Sequence, residues 1–233
     1  MHLICESSFV EEYLCEQEVV NYSHSVVQQA IRHLSTSADP QMERIRRAFE
    51  FVRDTIHHSW DIQSTQVTCT ASEVLLSGEG LCYAKSHLLA ALLRAQGIPT
   101  GFCYQRLTVG ATPEMGYALH GLNAVYLPAE AKWVRLDARG NKPGVQAEFS
   151  TGEERLAYVV RPELDEIDYP TIHTQSHPKI VLWDGISSIP RWNSPICRRL
   201  GNWKRVSTPA KTRKGAWGEV EALQPSQRNG GQK

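Results

Sequence analysis

No stretch of the chain approaches the roughly 20 consecutive apolar residues of a membrane-spanning helix. Its first residues, Met1-His2-Leu3-Ile4-Cys5-Glu6-Ser7, lack the basic segment and apolar core of a secretory leader. The six cysteines, at positions 5, 15, 69, 82, 103 and 197, form no CxxC pair and show no regular spacing. That argues against a structural zinc site or a disulfide framework, and it fits a reducing, cytoplasmic compartment. No internal repeat is present. An overall charge of one sign is also missing: 25 Lys/Arg balance 25 Asp/Glu. The balance hides an asymmetry, however, because Ile189 to the end carries ten Lys/Arg against two Asp/Glu. The preceding residues hold the matching negative surplus. An acidic folded part followed by a basic tail is the expected organisation, and solvation accounts for such a tail as well as binding does. At 41% hydrophobic and 21% charged residues, the rest can bury one sizeable core.

What the chain does have is a long apolar helix opening on a glycine turn. Gly78-Glu79-Gly80 lets the backbone turn sharply just before Cys82. Leu81, Ala84, Leu88, Ala91, Leu92 and Ala95 then form one apolar stripe, widened by Leu89 and Leu93 to most of the circumference. A helix so apolar belongs inside the protein. Gly97 supplies a left-handed stop and Pro99 prevents resumption. Cys82 therefore sits at the first turn, where unpaired N–H groups and the helix dipole favour a thiolate. From the helix alone, a nucleophile and a buried structural cysteine are both open.

Helical spacing recurs over His24 to Leu34, and from Asp39-Pro40, read as N-cap and first helical residue, to about Ile56. His57 to Asp61 reads as a polar, aromatic connection. Thr70-Ala71-Ser72-Glu73 matches a capping box, and Ser150-Thr151-Gly152-Glu153 matches another that predicts a short helix over Leu156 to Val159. In the first 23 residues, Phe9, Val10, Tyr13 and Leu14 are expected to cover part of the core. After Pro99 the period changes to two. Thr100 to Val109, Tyr117 to Leu127 and Lys132 to Ala138 read as strands, and their short connections make them antiparallel neighbours. Arg161 to Asp184 is rich in Pro and acid, with little periodicity. The boundaries expected are 1–44 for an N-terminal helical segment, 45–185 for the core and 186–233 for a basic, disordered tail.

Three residues stand out within this frame. Cys82 opens the central helix, His120 lies on the second strand, and Asp137 ends the third. Strands joined by a short turn can set His120 beside Asp137, and a helix packed on that sheet would bring its start close by. Cysteine chemistry needs this set: an imidazole to take and return a proton, and a carboxylate to fix its tautomer.

The stretches Gly78-Glu79-Gly80-Leu81-Cys82, Leu92-Leu93-Arg94-Ala95-Gln96-Gly97-Ile98-Pro99, His120 with Asn123-Ala124-Val125-Tyr126, and Trp133-Val134-Arg135-Leu136-Asp137 together resemble the core of the transglutaminase-like superfamily. The resemblance covers roughly residues 45 to 140. Asp137-Ala138-Arg139-Gly140-Asn141-Lys142 and Val67 to Leu75 are further similar to small bacterial members. It implies a papain-like α+β fold, with the Cys-bearing helix on a small antiparallel sheet. It also implies a Cys82 nucleophile, a His120 base and an Asp137 orienter. The chain departs from the family pattern at Gly121, where an aromatic residue is usual, and at Ala138, where Pro or Thr is. No loop of clustered acidic ligands suggests calcium activation.

The expected function is acyl transfer on an amide bond through a thioester on Cys82, in a cysteine peptidase, amidase or transamidase. The rival is a catalytically silent binding module that keeps the fold. No cofactor or metal is implied, and the expected partner is a protein or peptide substrate. Neither a membrane nor a nucleic acid is expected, although Trp192, Trp203 and Trp217 punctuate the basic tail. Family members use an aromatic N–H upstream of the cysteine to hold the oxyanion, which makes Trp60 the candidate, against simple packing. His87 points away from the thiol at helical spacing and reads as a core or surface histidine. Asn123 falls on the other sheet face from His120, Arg135 reads as an ion-pair residue, and Cys69 and Cys103 as core.

Overall fold

The computed structural model describes residues 1–176. The expected basic tail and its three tryptophans lie outside them. The architecture is α+β and papain-like. Four helices, α1 (Ser25–Leu34), α2 (Gln41–Asp54), α3 (Ala71–Ser77) and α4 (Cys82–Arg94), precede a small antiparallel sheet. That sheet has strand order β6-β5-β4-β7, with β4 at Thr100–Thr108, β5 at Tyr117–Leu127, β6 at Lys132–Leu136 and β7 at Ile167–Asp168. Two short parallel pairs complete it: β1 (Ile4–Cys5) with β8 (Thr171–Ile172), and β2 (His57–His58) with β3 (Glu79–Gly80).

Helix α4 is the centre. Every residue from Tyr83 to Arg94 is buried, enclosed by α1, α2 and α3 on one side and β4 and β5 on the other. Burying Leu88, Leu89, Leu92 and Leu93 completely contributes about 1.5–3 kcal/mol per side chain. Left-handed Gly78 ends α3 and left-handed Gly97 follows α4, so each stop falls on a residue without a Cβ penalty. The Thr70–Glu73 capping box forms as expected and starts α3.

Four expectations need correction. First, Asp39 is not the N-cap of α2: Pro40 is, and the Asp39 carboxylate instead accepts the Thr36 N–H at 2.7 Å. Second, residues 153–160 are irregular rather than helical. The N–H groups a helix would use are committed elsewhere, with Ala157 donating to the Asp137 carboxylate at 3.0 Å. The Arg155 carbonyl likewise accepts from Glu148 N–H. Third, β2 lies in the connection after α2, and β7 and β8 lie in the region read as aperiodic. Fourth, Tyr13 is fully buried but Phe9 is 66% exposed.

Candidate active site

Cys82 occupies the first helical position of α4, half-buried, with Leu81 as an N-cap that supplies no side-chain bond. The free N–H groups of that turn point where an anion would sit. Two glycines make the close packing possible. A Cβ on Gly80 would lie 3.1 Å from Ala84 Cβ and from Thr68 Oγ1, and one on Gly121 would lie 3.3 Å from Tyr83 Cα. Gly121, the departure from the usual aromatic, is thus a point where β5 passes close to the helix start.

His120 is on β5, and Asn123 pairs with Leu136 of β6. Continued by one residue, the antiparallel register sets Asp137, just past the end of β6, opposite Leu122 and so diagonal to His120 on the same sheet face. The His120 Nε2–Asp137 Oδ2 distance is 2.8 Å, with both side chains buried. A carboxylate accepts, so Nε2 carries hydrogen and Nδ1 is left for the thiol. Asp137 also accepts the backbone N–H of Ala157 at 3.0 Å and of Arg139 at 3.2 Å. Burial alone would raise its pKa, but the His120 charge and these bonds hold it below the usual carboxylate value.

The electrostatics follow from these contacts. Burial would raise the Cys82 pKa, yet hydrogen bonds to His120 and to His58 outweigh it and hold the thiol at about 5. Burial would lower the His120 pKa, but the Asp137 carboxylate and the Cys82 sulfur push it up to about 10. Near neutral pH the pair is thiolate and imidazolium. Burial leaves the other two interior thiols inert, with Cys69 and Cys103 each pushed up to about 12.

Cys82 and His120 open onto a cleft of about 630 Å³, with Asp137 buried behind the imidazole. Its walls include Trp60, Leu81, Leu119, Tyr158 and Arg161. Tyr158 sets its ring edge-on to His120, centroids 5.0 Å apart. Arg139, also in the wall, is held by Asp61 through two bonds, and Asp61 takes a third from Lys142 at 2.6 Å. Trp60 lines the rim and is 42% exposed. His87 is buried away from this cluster, bonded to the Cys69 carbonyl at 2.7 Å and to Ser176. Asn123 donates to the carbonyls of Ser86 and Gly101, tying α4 to the sheet. Arg135 binds Glu154 and Asp168 through paired contacts.

Sequence reasoning gave no role to His58, Tyr158, Arg139 or Asp61. Tyr158 was obscured by the expected helix. His58 reaches the thiol through the two-residue β2–β3 pairing, for which no periodic signal exists.

Residues 28–138 match the model of the transglutaminase-like superfamily. Among solved structures the chain is similar to that of a candidate cysteine protease from Cytophaga hutchinsonii, at 16% identity and a TM-score of 0.45. That match covers 57% of this chain and 43% of the other, so the chain spans less than half the length of that structure. No curated protein matches.

Proposed function

Residues 28–138 belong to the transglutaminase-like superfamily, and on that premise we propose that the protein catalyses thiol-dependent acyl transfer at an amide bond of a protein or peptide. The observation that carries this reading is the buried His120–Asp137 contact at 2.8 Å behind a cysteine at the start of α4, whose thiol pKa His120 and His58 lower. The Cys82 sulfur attacks the amide carbonyl, and the carbonyl electron pair moves to oxygen. The Cys82 N–H, at the helix start and without a partner among the described residues, donates to that oxyanion, with the Trp60 indole as the candidate second donor. The C–N bond then breaks as His120 gives its proton to the leaving nitrogen, and a thioester remains on Cys82. Water or an amine next attacks the thioester while neutral His120 takes its proton. The C–S bond breaks, the sulfur leaves as thiolate, and the thiolate–imidazolium pair is restored. Asp137 keeps the imidazole in one tautomer throughout.

An activated ester tests the first half-reaction without knowledge of the substrate. p-Nitrophenyl acetate should release a burst of nitrophenolate and leave one acetyl group on the peptide containing Cys82. Cys82→Ser should show neither. Water or cadaverine as acceptor then decides between hydrolysis and transfer. Acetylation of Cys69 or Cys103 in the folded protein, or no burst at all, would sink the reading in favour of a silent binding module.

A further inference from the structure

We propose that His58 is a further catalytic residue: a second imidazole on the Cys82 sulfur, acting as a fixed neutral N–H donor while His120 carries the proton. The inference rests on the acyl-transfer reading above and divides the work between two rings.

The backbone placement of His58 is specific. His57 N–H donates to Gly78 O at 2.9 Å and Ser59 N–H to Gly80 O at 3.1 Å. These bonds set residues 57–59 parallel to the turn that delivers Cys82, with His58 in register with Gly80. His58 is thus locked two residues ahead of the thiol in the paired strand. Its ring lines the cleft and hydrogen-bonds to Cys82. Its Nδ1 is buried with no hydrogen-bond partner among the described residues. Burying a ring nitrogen without a partner is costly, so packing alone does not account for a histidine at this place in the cleft.

Burial and three charged or polar groups, Arg139, Cys82 and Asp61, bear on the charge of His58. Burial is the largest influence and opposes a cation, and the Arg139 guanidinium opposes it too. Cys82 and Asp61 favour a cation but do not overcome the burial, so the pKa of His58 lies below its ordinary value. The ring is therefore neutral near pH 7, whereas His120, backed by Asp137, is charged. His58 keeps its proton through the whole reaction. Its hydrogen bond to sulfur is strong with the thiolate, weak with the neutral thioester, and strong again as the C–S bond breaks. It lowers the thiol pKa and improves sulfur as a leaving group without moving a proton.

The test is the pH profile of Cys82 alkylation by iodoacetamide, followed by peptide mapping, in wild type, His58→Ala, His58→Asn, His58→Gln and His120→Ala. His58→Ala should raise the midpoint by about one unit, the worth of one hydrogen bond to a charged group. An amide N–H can replace a neutral donor, so one of His58→Asn and His58→Gln should recover most of that shift. A wild-type profile in His58→Ala, with a shifted one in His120→Ala, would overturn the role of His58 alone. Unshifted profiles in both would instead sink the acyl-transfer reading. Amide variants that shift as far as alanine would show that a cation is required and would overturn the neutral role. Those two variants also carry the test if thermal melting shows that His58→Ala does not fold.

Discussion

Replacing Asp137 by Asn removes one charge from a buried site while preserving its shape, and the structure specifies what that costs. The carboxylate accepts three N–H groups: His120 Nε2 and Ala157 on Oδ2, and Arg139 on Oδ1. An asparagine can match one oxygen and must set its NH2 against donors at the other. The better orientation keeps His120 and Ala157 and leaves the Arg139 N–H facing another donor. One buried unpaired donor costs about 1–3 kcal/mol. The chemical effect is separable from that loss. Without the carboxylate, the His120 pKa falls from about 10 and the Cys82 pKa rises from about 5. Removing an opposite charge at this range moves a pKa by about 1–3 units, and Cys82 feels it at one remove. The acid limb of its alkylation profile should therefore move upward by about one unit. The rate of iodoacetamide labelling from pH 4 to 9 measures this directly, with a thermal melt to report the stability loss. A variant less stable than wild type but with an unmoved acid limb would refute the reasoning, because Asp137 would then support the fold without supporting the imidazolium.

Two further perturbations probe how the site is held. Gly121→Ala would place a Cβ 3.3 Å from Tyr83 Cα, so β5 must retreat from α4 by a few tenths of an ångström. A loss of about 1 kcal/mol in urea unfolding is expected, together with a higher Cys82 pKa as His120 moves with the strand; an unchanged alkylation profile would show that the close approach does not set the thiol's environment. Lys85 is fully buried, with its ammonium on the carbonyls of Arg53 and Ile56, and burial lowers its pKa to about 7. Because the unfolded chain binds this proton more tightly, Lys85 makes stability rise with pH between about 7 and 10.5, by up to about 1.4 kcal/mol per unit. Lys85→Met should remove that rise between pH 7 and 9, and equal slopes in the two proteins would mean that the ammonium is not desolvated.

The elements legible in the sequence are those whose signals are local. The Thr70–Glu73 box, the left-handed Gly97 and the alternation over Tyr117–Leu127 each determine an element from neighbouring residues, and each appears where expected. The second capping box shows the limit of that logic. Ser150 to Glu153 has the right spacing, but a helix also needs its own N–H groups. Here Asp137 takes the one from Ala157. Two-residue strands such as β2 and β7 have no period to detect. Their partners, Glu79-Gly80 and Gln105-Arg106, are distant in sequence. The contacts among Cys82, His120 and Asp137 were legible for the same reason that the long elements were: a glycine turn, a helix start and a short strand connection fix their places. His58 was not, because its place depends on β2.

The polar residues of α4 explain why its pattern looked more apolar than amphipathic and yet carried charge. Lys85, His87 and Arg94 interrupt the apolar surface, and a helical wheel would assign them to solvent. All three are buried. Lys85 binds the carbonyls of Arg53 and Ile56, His87 that of Cys69, and Arg94 those of Thr100, Cys15 and Thr174. Most of these carbonyls lie at element ends or in connections, and an unpaired buried carbonyl is costly. A wholly apolar helix would bury well but leave them orphaned. These three side chains of α4, the His87 ring neutral because burial lowers its pKa to about 4, therefore act as internal capping groups. Lys85 in particular anchors the end of α2, one residue before His57 begins β2. The helix that presents the thiol thus also fixes the strand that brings a second imidazole to it.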